Sequence, residues 1–340
     1  MFDKMAKRIG LALATATFAF SAAAEEELVL KFVQPLPASH LTWTSGGKVF
    51  ADMLAEKTDG KVTIEAYHAG QLGKDYLGIL QSGIGDIVVL PPSYLADKLP
   101  LTSVAELPGV ASSSCDAVGR LWKVAQEGGV LDRLEYEPFG LRILYVKMAP
   151  PYSLLTTGAN VSSVESVGGL KVRTNGGSAM NRTAESADMI PVKVTSGEFY
   201  DALTRGTVDG AILSFASLET YNLDTVIKYA IDKINLGASS LLVTMTEKRW
   251  QSLPDNVKAA ITEIAPAAQQ STCEAWDSTE SEGKQAMIKK AAETGFQLNE
   301  PSAEEITVWE ARLKEVGLRW AAKTDSAGLK GSEVLNEFLK

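Results

Sequence analysis

Apolar and polar positions follow two rhythms along the chain, and the rhythms take turns. LVLKFVQ (28–34) reads as a strand and is followed by the helical spacing of Val49, Phe50, Met53 and Leu54. KVTIEAY (61–67) alternates with period two, placing Val62, Ile64 and Ala66 on one face. A second helix and a continuous apolar strand follow in DYLGILQSGIGDIVVL (75–90). Residues 169–213 repeat the order: strand GLKVRT, a helix from about Ser178, strand MIPVKV, then EFYDALTRGTVDGAIL. Both stretches predict βαβαβ.

The repeat is closest at its end. YLGILQSGIGDIVVL (76–90) and FYDALTRGTVDGAIL (199–213) align without a gap and share Leu80/Leu203, Gly83/Gly206, Asp86/Asp209 and Leu90/Leu213. Each glycine falls where a helix stops in a left-handed conformation, and each aspartate opens the strand that follows. The pattern predicts an α/β protein of two similar lobes, residues 25–147 plus about 236–275 forming the first and 148–235 plus about 276–340 the second. Two apolar extended stretches, LRILYV (141–146) and INLGASSLLVTM (234–245), are placed to carry the chain between lobes as a hinge. Ser252 is expected to cap the helix of LPDNVKAAITEIA, and a further helical stretch runs from about Ser271 to Thr294. Ala303 to Lys340 reads as helices without a new domain's worth of core.

In open α/β sheets, ligands bind beyond the carboxyl ends of the parallel strands. In the first lobe those ends are Gln34 and Pro91 to Tyr94; in the second they are Arg173 and Leu213, Ser214 and Phe215. Lys171 and Arg173 share one face of their strand. Such a pair ordinarily coats a solvated sheet face, but at a cleft mouth the planar guanidinium suits a carboxylate in bidentate geometry. Burying a ligand's charge unpaired costs several kcal/mol, so an acid ligand calls for one cation. Gln34 and Ser93 are the candidate polar contacts, with Ser214 beside them, and Tyr76, Tyr152, Leu213 and Phe215 the candidate walls. Of the aromatics near strand ends or lobe junctions, Trp43, Tyr76, Tyr94, Tyr152 and Phe215, two or three are expected to line the cleft.

Composition narrows the setting. Lys4, Lys7 and Arg8 precede the apolar run IGLALATATFAF and the small residues SAAA, the pattern of a secretory signal peptide over residues 1–24. No other stretch reaches the about 18 continuous apolar residues of a membrane span. A net charge of −9 with no basic run argues against nucleic acid and anionic membranes. Cys115 and Cys273, the only cysteines, leave a disulfide open, and with only His40 and His68 there is no metal-ligand spacing. No cofactor is called for. An exported hydrolase would need a nucleophile, a base and an orienting acid, and neither G-x-S-x-G nor H-E-x-x-H occurs. GIGDIV follows a helix and precedes a strand, the reverse of a dinucleotide-binding turn. An acid pair of the glycosidase kind stays open, because nothing singles out two of the many carboxylates.

AGQLG (69–73), GLKVR (169–173), GTVDG (206–210) and SLPDNVKAAI (252–261), in this order behind a leader, resemble the DctP-type solute-binding proteins of tripartite ATP-independent periplasmic (TRAP) transporters. The resemblance covers essentially the whole chain after the leader. It implies a periplasmic binding protein-like fold with a long bracing helix, and a receptor that delivers a small organic acid to the small and large subunits of an ion-driven membrane permease. It also implies that Arg173 pairs with the substrate carboxylate. Relatives often carry an Asn where Leu213 stands here, and some acid-binding members a second basic residue in the region of MAPPYSLLTT (148–157). Both departures favour a monocarboxylate with an apolar or hydroxylated remainder. The alternatives are an exported α/β enzyme acting on a small acid, and a receptor that presents its solute to a membrane sensor.

Overall fold

The computed structural model describes residues 27–340, so the expected leader lies outside the described residues. The strands are β1 (Leu28–Val33), β2 (Val62–Tyr67), β3 (Ile87–Leu90), β4 (Leu141–Met148), β5 (Ser153–Thr156), β6 (Lys171–Thr174), β7 (Ile190–Lys193), β8 (Gly210–Leu213), β9 (Tyr229–Ile231), β10 (Ser240–Thr246) and β11 (Gln297–Asn299). The α-helices are α1 (Lys48–Lys57), α2 (Tyr76–Gln81), α3 (Ser114–Ala125), α4 (Ser178–Ser186), α5 (Phe199–Thr204), α6 (Glu247–Gln251), α7 (Asp255–Lys289), α8 (Ala291–Thr294), α9 (Ala303–Ser326) and α10 (Gly331–Leu339).

Two sheets result, in the orders β2-β1-β3-β10-β4 and β11-β9-β5-β8-β6-β7. In the first, β1 runs parallel to β2 and β3. In the second, β6 runs parallel to β7 and β8. These are the two predicted βαβαβ units. Strand β3 is a continuous apolar run because it is covered on both faces: Ile87 and Val89 enter one core cluster, Val88 and Leu90 the other.

Each sheet also takes a strand from beyond its own unit. β10, reached after the second lobe, inserts antiparallel between β3 and β4, and β5 lies antiparallel between β8 and β9. The expected hinge strands are therefore mostly sheet: β4 and β10 pair along their length in the first lobe. The crossing itself is shorter and lies just beyond them. There Ala149 N donates to Ser239 O (2.9 Å), Tyr152 N to Gly237 O (2.8 Å) and Leu236 N to Tyr152 O (2.9 Å).

Two expectations at the carboxyl-terminal side are corrected. Ser252 is no cap of the long helix: it ends α6, its Oγ donating to Arg249 O at 2.7 Å, while α7 starts behind Pro254 with no side-chain cap. Nor do residues 276–340 all join the second lobe. Helix α9 packs Trp309 and Leu313 against the second sheet but Val316, Trp320 and Ala321 into the first lobe's core, which also takes Val334, Leu335 and Phe338 of α10.

Helix α7 is one element of 35 residues where two stretches were expected. At 1.5 Å per residue it is roughly 50 Å long, enough to touch both lobes. Val257 to Ala268 pack under the first sheet, and Met287 sits in a core of the second. Cys273 on α7 is bridged to Cys115 on α3, and Asp277 one turn on accepts from Ser114 N (2.6 Å) and Cys115 N (3.1 Å). Among the described residues no helix is long and apolar enough to cross a membrane.

Candidate functional site

Arg173 stands third in β6, between β7 and β8, and is only 6% exposed. Nε donates to Val194 O at 3.1 Å. The guanidinium carbon lies 4.4 Å from the centroid of the Phe199 ring, so one face of the cation rests on an aromatic surface. Burial pushes its pKa down, and the nearby phenols of Tyr221, Tyr152 and Tyr94 push it back up. Among the described residues no carboxylate pairs with it.

The three phenols come from different parts of the chain. Tyr152 belongs to the crossing and bonds the Ser239 side chain, and burial drives its pKa well up. Ser239 Oγ also accepts from Asn175 Nδ2 (3.1 Å). Tyr94 ends the short turn Pro92–Tyr94 after β3. Its pKa is raised by burial and lowered by Arg173. Tyr76 opens α2 behind Asp75 and is close enough to Tyr94 for the two phenols to repel charge. Tyr221 follows β8 and the turn Phe215–Ser217.

The lobes meet beside this group. Gly177, just before α4, has so little room that a Cβ there would come 2.9 Å from Ser93 Cβ and 3.4 Å from Glu106 Oε2, both from the first lobe. Glu106 is 2% exposed, and its Oε1 accepts from Ser240 N (3.1 Å) and Ser240 Oγ (3.0 Å). Burial pushes its carboxyl up to about 7 against those two bonds.

The structure thus brings Arg173, Tyr152 and Tyr94 into one neighbourhood, leaves Tyr76 in the first lobe's core beside Tyr94, and sets Ser93 at the seam. Gln34 follows β1, where its Nε2 is committed to Leu36 O (3.2 Å), Pro37 O (3.4 Å) and His68 Nδ1 (2.9 Å), leaving a buried Oε1 without a partner. Trp43 packs on Phe32 and His68 instead, with ring centroids 5.5 and 4.7 Å away. Leu213 and Phe215 lie in the second lobe's core with Phe199. Ser214 is fully buried, its hydroxyl on that of Ser217 at 3.0 Å.

Sequence reasoning missed Phe199, Tyr221 and Glu106. Glu106 did leave a signal, a single acid inside the otherwise uncharged run TSVAELPGV (102–110). Phe199 and Tyr221 left none.

Two α/β lobes, a two-strand crossing and a buried cation at the seam define a cleft-forming binding protein. The chain belongs to the DctP family, bacterial extracellular solute-binding protein family 7, which matches residues 32–324. It is 27% identical over 298 residues to the C4-dicarboxylate-binding periplasmic protein DctP of Rhodobacter capsulatus, covering 86% of each chain. Among solved structures, a TRAP solute-binding protein from Rhodoferax ferrireducens T118 with copurified benzoate superposes with a TM-score of 0.81 at 20% identity, covering 92% of this chain and 96% of that one. One from Bordetella bronchiseptica with bound (R)- and (S)-mandelate gives 0.79 at 21% identity over 92% and 98%. These likenesses establish the fold.

Proposed function

We propose that this chain is the periplasmic receptor of a TRAP-type transporter, capturing a small monocarboxylate by closure of its lobes and passing it to the membrane permease. Arg173 carries the proposal. A guanidinium nine-tenths buried, lying on a ring and lacking a carboxylate partner among the described residues, is costly to keep unless something else supplies the anion. A ligand carboxylate supplies it. Tyr94, Tyr152 and Tyr221 surround the place with phenols able to donate to the same oxygens.

One buried cation beside these phenols argues for one carboxylate, and the benzoate and mandelate of the two solved relatives are acids of that kind. The named DctP relative, a C4-dicarboxylate binder, is the contrary case within the family. Binding without turnover is the expected chemistry: the acid leaves as it came. Transport rather than sensing rests on the family alone.

Calorimetry on the native chain and Arg173→Ala with a panel of organic acids tests the reading. Loss of a buried charge-assisted pair is expected to cost on the order of 2–5 kcal/mol. Unchanged affinity in the variant would remove Arg173 from the role. Mass spectrometry of the acid recovered after prolonged incubation is expected to return it unaltered.

A further inference from the structure

Of the two oxygens of Glu106, one is hydrogen-bonded within the protein. Oε1 braces the crossing by taking both the N–H and the hydroxyl of Ser240 on β10. Oε2 receives no donor from any described residue and points toward the second lobe, 3.4 Å from where a Cβ on Gly177 would stand. Its charge is felt by the phenols of Tyr94 and Tyr152, two of the three that face Arg173. A cation from one lobe and a carboxylate from the other therefore act on the same two phenols, Tyr94 and Tyr152. They do not neutralise each other, since no salt bridge joins them among the described residues.

Once ionised, above about pH 7, a carboxylate in that position has a chemical preference. An ionised carboxylate offers lone pairs and no proton, so it rewards a ligand that brings a hydrogen-bond donor and penalises one that brings a second negative charge. Hydrogen bonds to an ionised acceptor are also the stronger kind. We propose that Glu106 is the specificity-determining residue of the first lobe: Oε2 accepts from a hydroxyl on a ligand whose carboxylate is held by Arg173, so the site selects hydroxylated monocarboxylates and turns away dicarboxylates. The inference rests on the receptor reading above and adds to it the polarity of the ligand's far end. Leucine at 106 would remove the acceptor, and glutamine would fill similar space with only a neutral, weaker acceptor and no charge to repel a second carboxylate.

Calorimetry at pH 8.5 with two matched triads tests this: butyrate, 3-hydroxybutyrate and succinate, then benzoate, 3-hydroxybenzoate and isophthalate. In the native chain the hydroxylated member of the triad that fits is expected to bind at least tenfold more tightly than its bare and dicarboxylate counterparts. In Glu106→Gln that margin is expected to fall below threefold, with the melting temperature reporting that the fold is kept. Native selectivity stands as a test even if the variant does not fold. A bare acid or diacid binding as well as the hydroxy acid in the native chain overturns the inference. So does an undiminished hydroxyl preference in Glu106→Gln while Arg173→Ala loses binding, an outcome that leaves the receptor reading intact. Tight binding untouched by Arg173→Ala would instead overturn the role of the cation, and no binding by any of the six acids would overturn both.

Discussion

Lys147 is a second buried cation, and its burden differs from that of Arg173. It is 1% exposed on β4, its Nζ donating to Thr42 O at 2.8 Å and lying 5.9 and 5.4 Å from the ring centroids of Phe32 and Tyr145. Burial pushes its pKa down to about 7. An unfolded lysine keeps its proton to about 10.4, so between these values the unfolded chain binds more protons and stability rises with pH. Below pH 7 both states are charged and the full cost of the buried ammonium is felt. In denaturant titrations from pH 7.5 to 9.5, the native chain is expected to gain stability over Lys147→Met by up to about 1.4 kcal/mol per pH unit. Parallel pH profiles would mean that the amine stays charged when buried. At this scale the sequence was uneven. The place of Arg173 near a strand's carboxyl end was legible because topology defines it, whereas Lys147 is an ordinary polar letter until tertiary packing covers it, and Glu106 showed only as a lone acid in an uncharged run.

At the scale of elements, α3 and α7 are joined three times within one short contact. The Cys115–Cys273 bridge closes a loop with a sequence separation of 158, and Asp277 takes two N–H groups at the first turn of α3 that have no partner within the helix. Replacing both cysteines by serine is expected to lower unfolding free energy by about 2–5 kcal/mol, measured by chemical denaturation under non-reducing conditions. Asp277→Ala is expected to cost about 1 kcal/mol by the same assay, as for loss of a helix cap. The βαβαβ units were readable because period-two and helical spacing alternate cleanly there. The start of α7 misled for a local reason: Ser252 has the chemistry of a cap, but Pro254, still extended with ψ 148°, stands immediately before the helix, which starts at Asp255. The bridge was unreadable because spacing along the chain says nothing of distance in space.

For the whole molecule, the question is whether function requires the lobes to come as close as Gly177 and Ser93 do. The assignment of α9 and α10 was lost in the sequence because one amphipathic helix can serve two cores in succession, as Trp309 and Trp320 do. Such a helix ties the two lobes together, its Trp320 Nε1 donating to Ser103 Oγ at 2.8 Å. Gly177 has φ −67° and ψ 144°, a conformation open to any residue, so a side chain there strains no backbone. What it meets first is the other lobe, with Ser93 Cβ 2.9 Å from the added atom, and only then Asn175 Oδ1 of its own lobe at 3.2 Å. Gly177→Val is therefore expected to fold with a nearly native melting temperature, to bind its acid at least tenfold more weakly, and to keep a larger radius of gyration in X-ray scattering when ligand is added. Trimming the opposing side chain restores room, so the Gly177→Val, Ser93→Gly pair is expected to recover most of the lost affinity, a rescue that mere damage to the second lobe would not allow. Native affinity in Gly177→Val alone would mean that the acid is held with this seam open, and that Arg173 and its phenols act without help from the first lobe's edge.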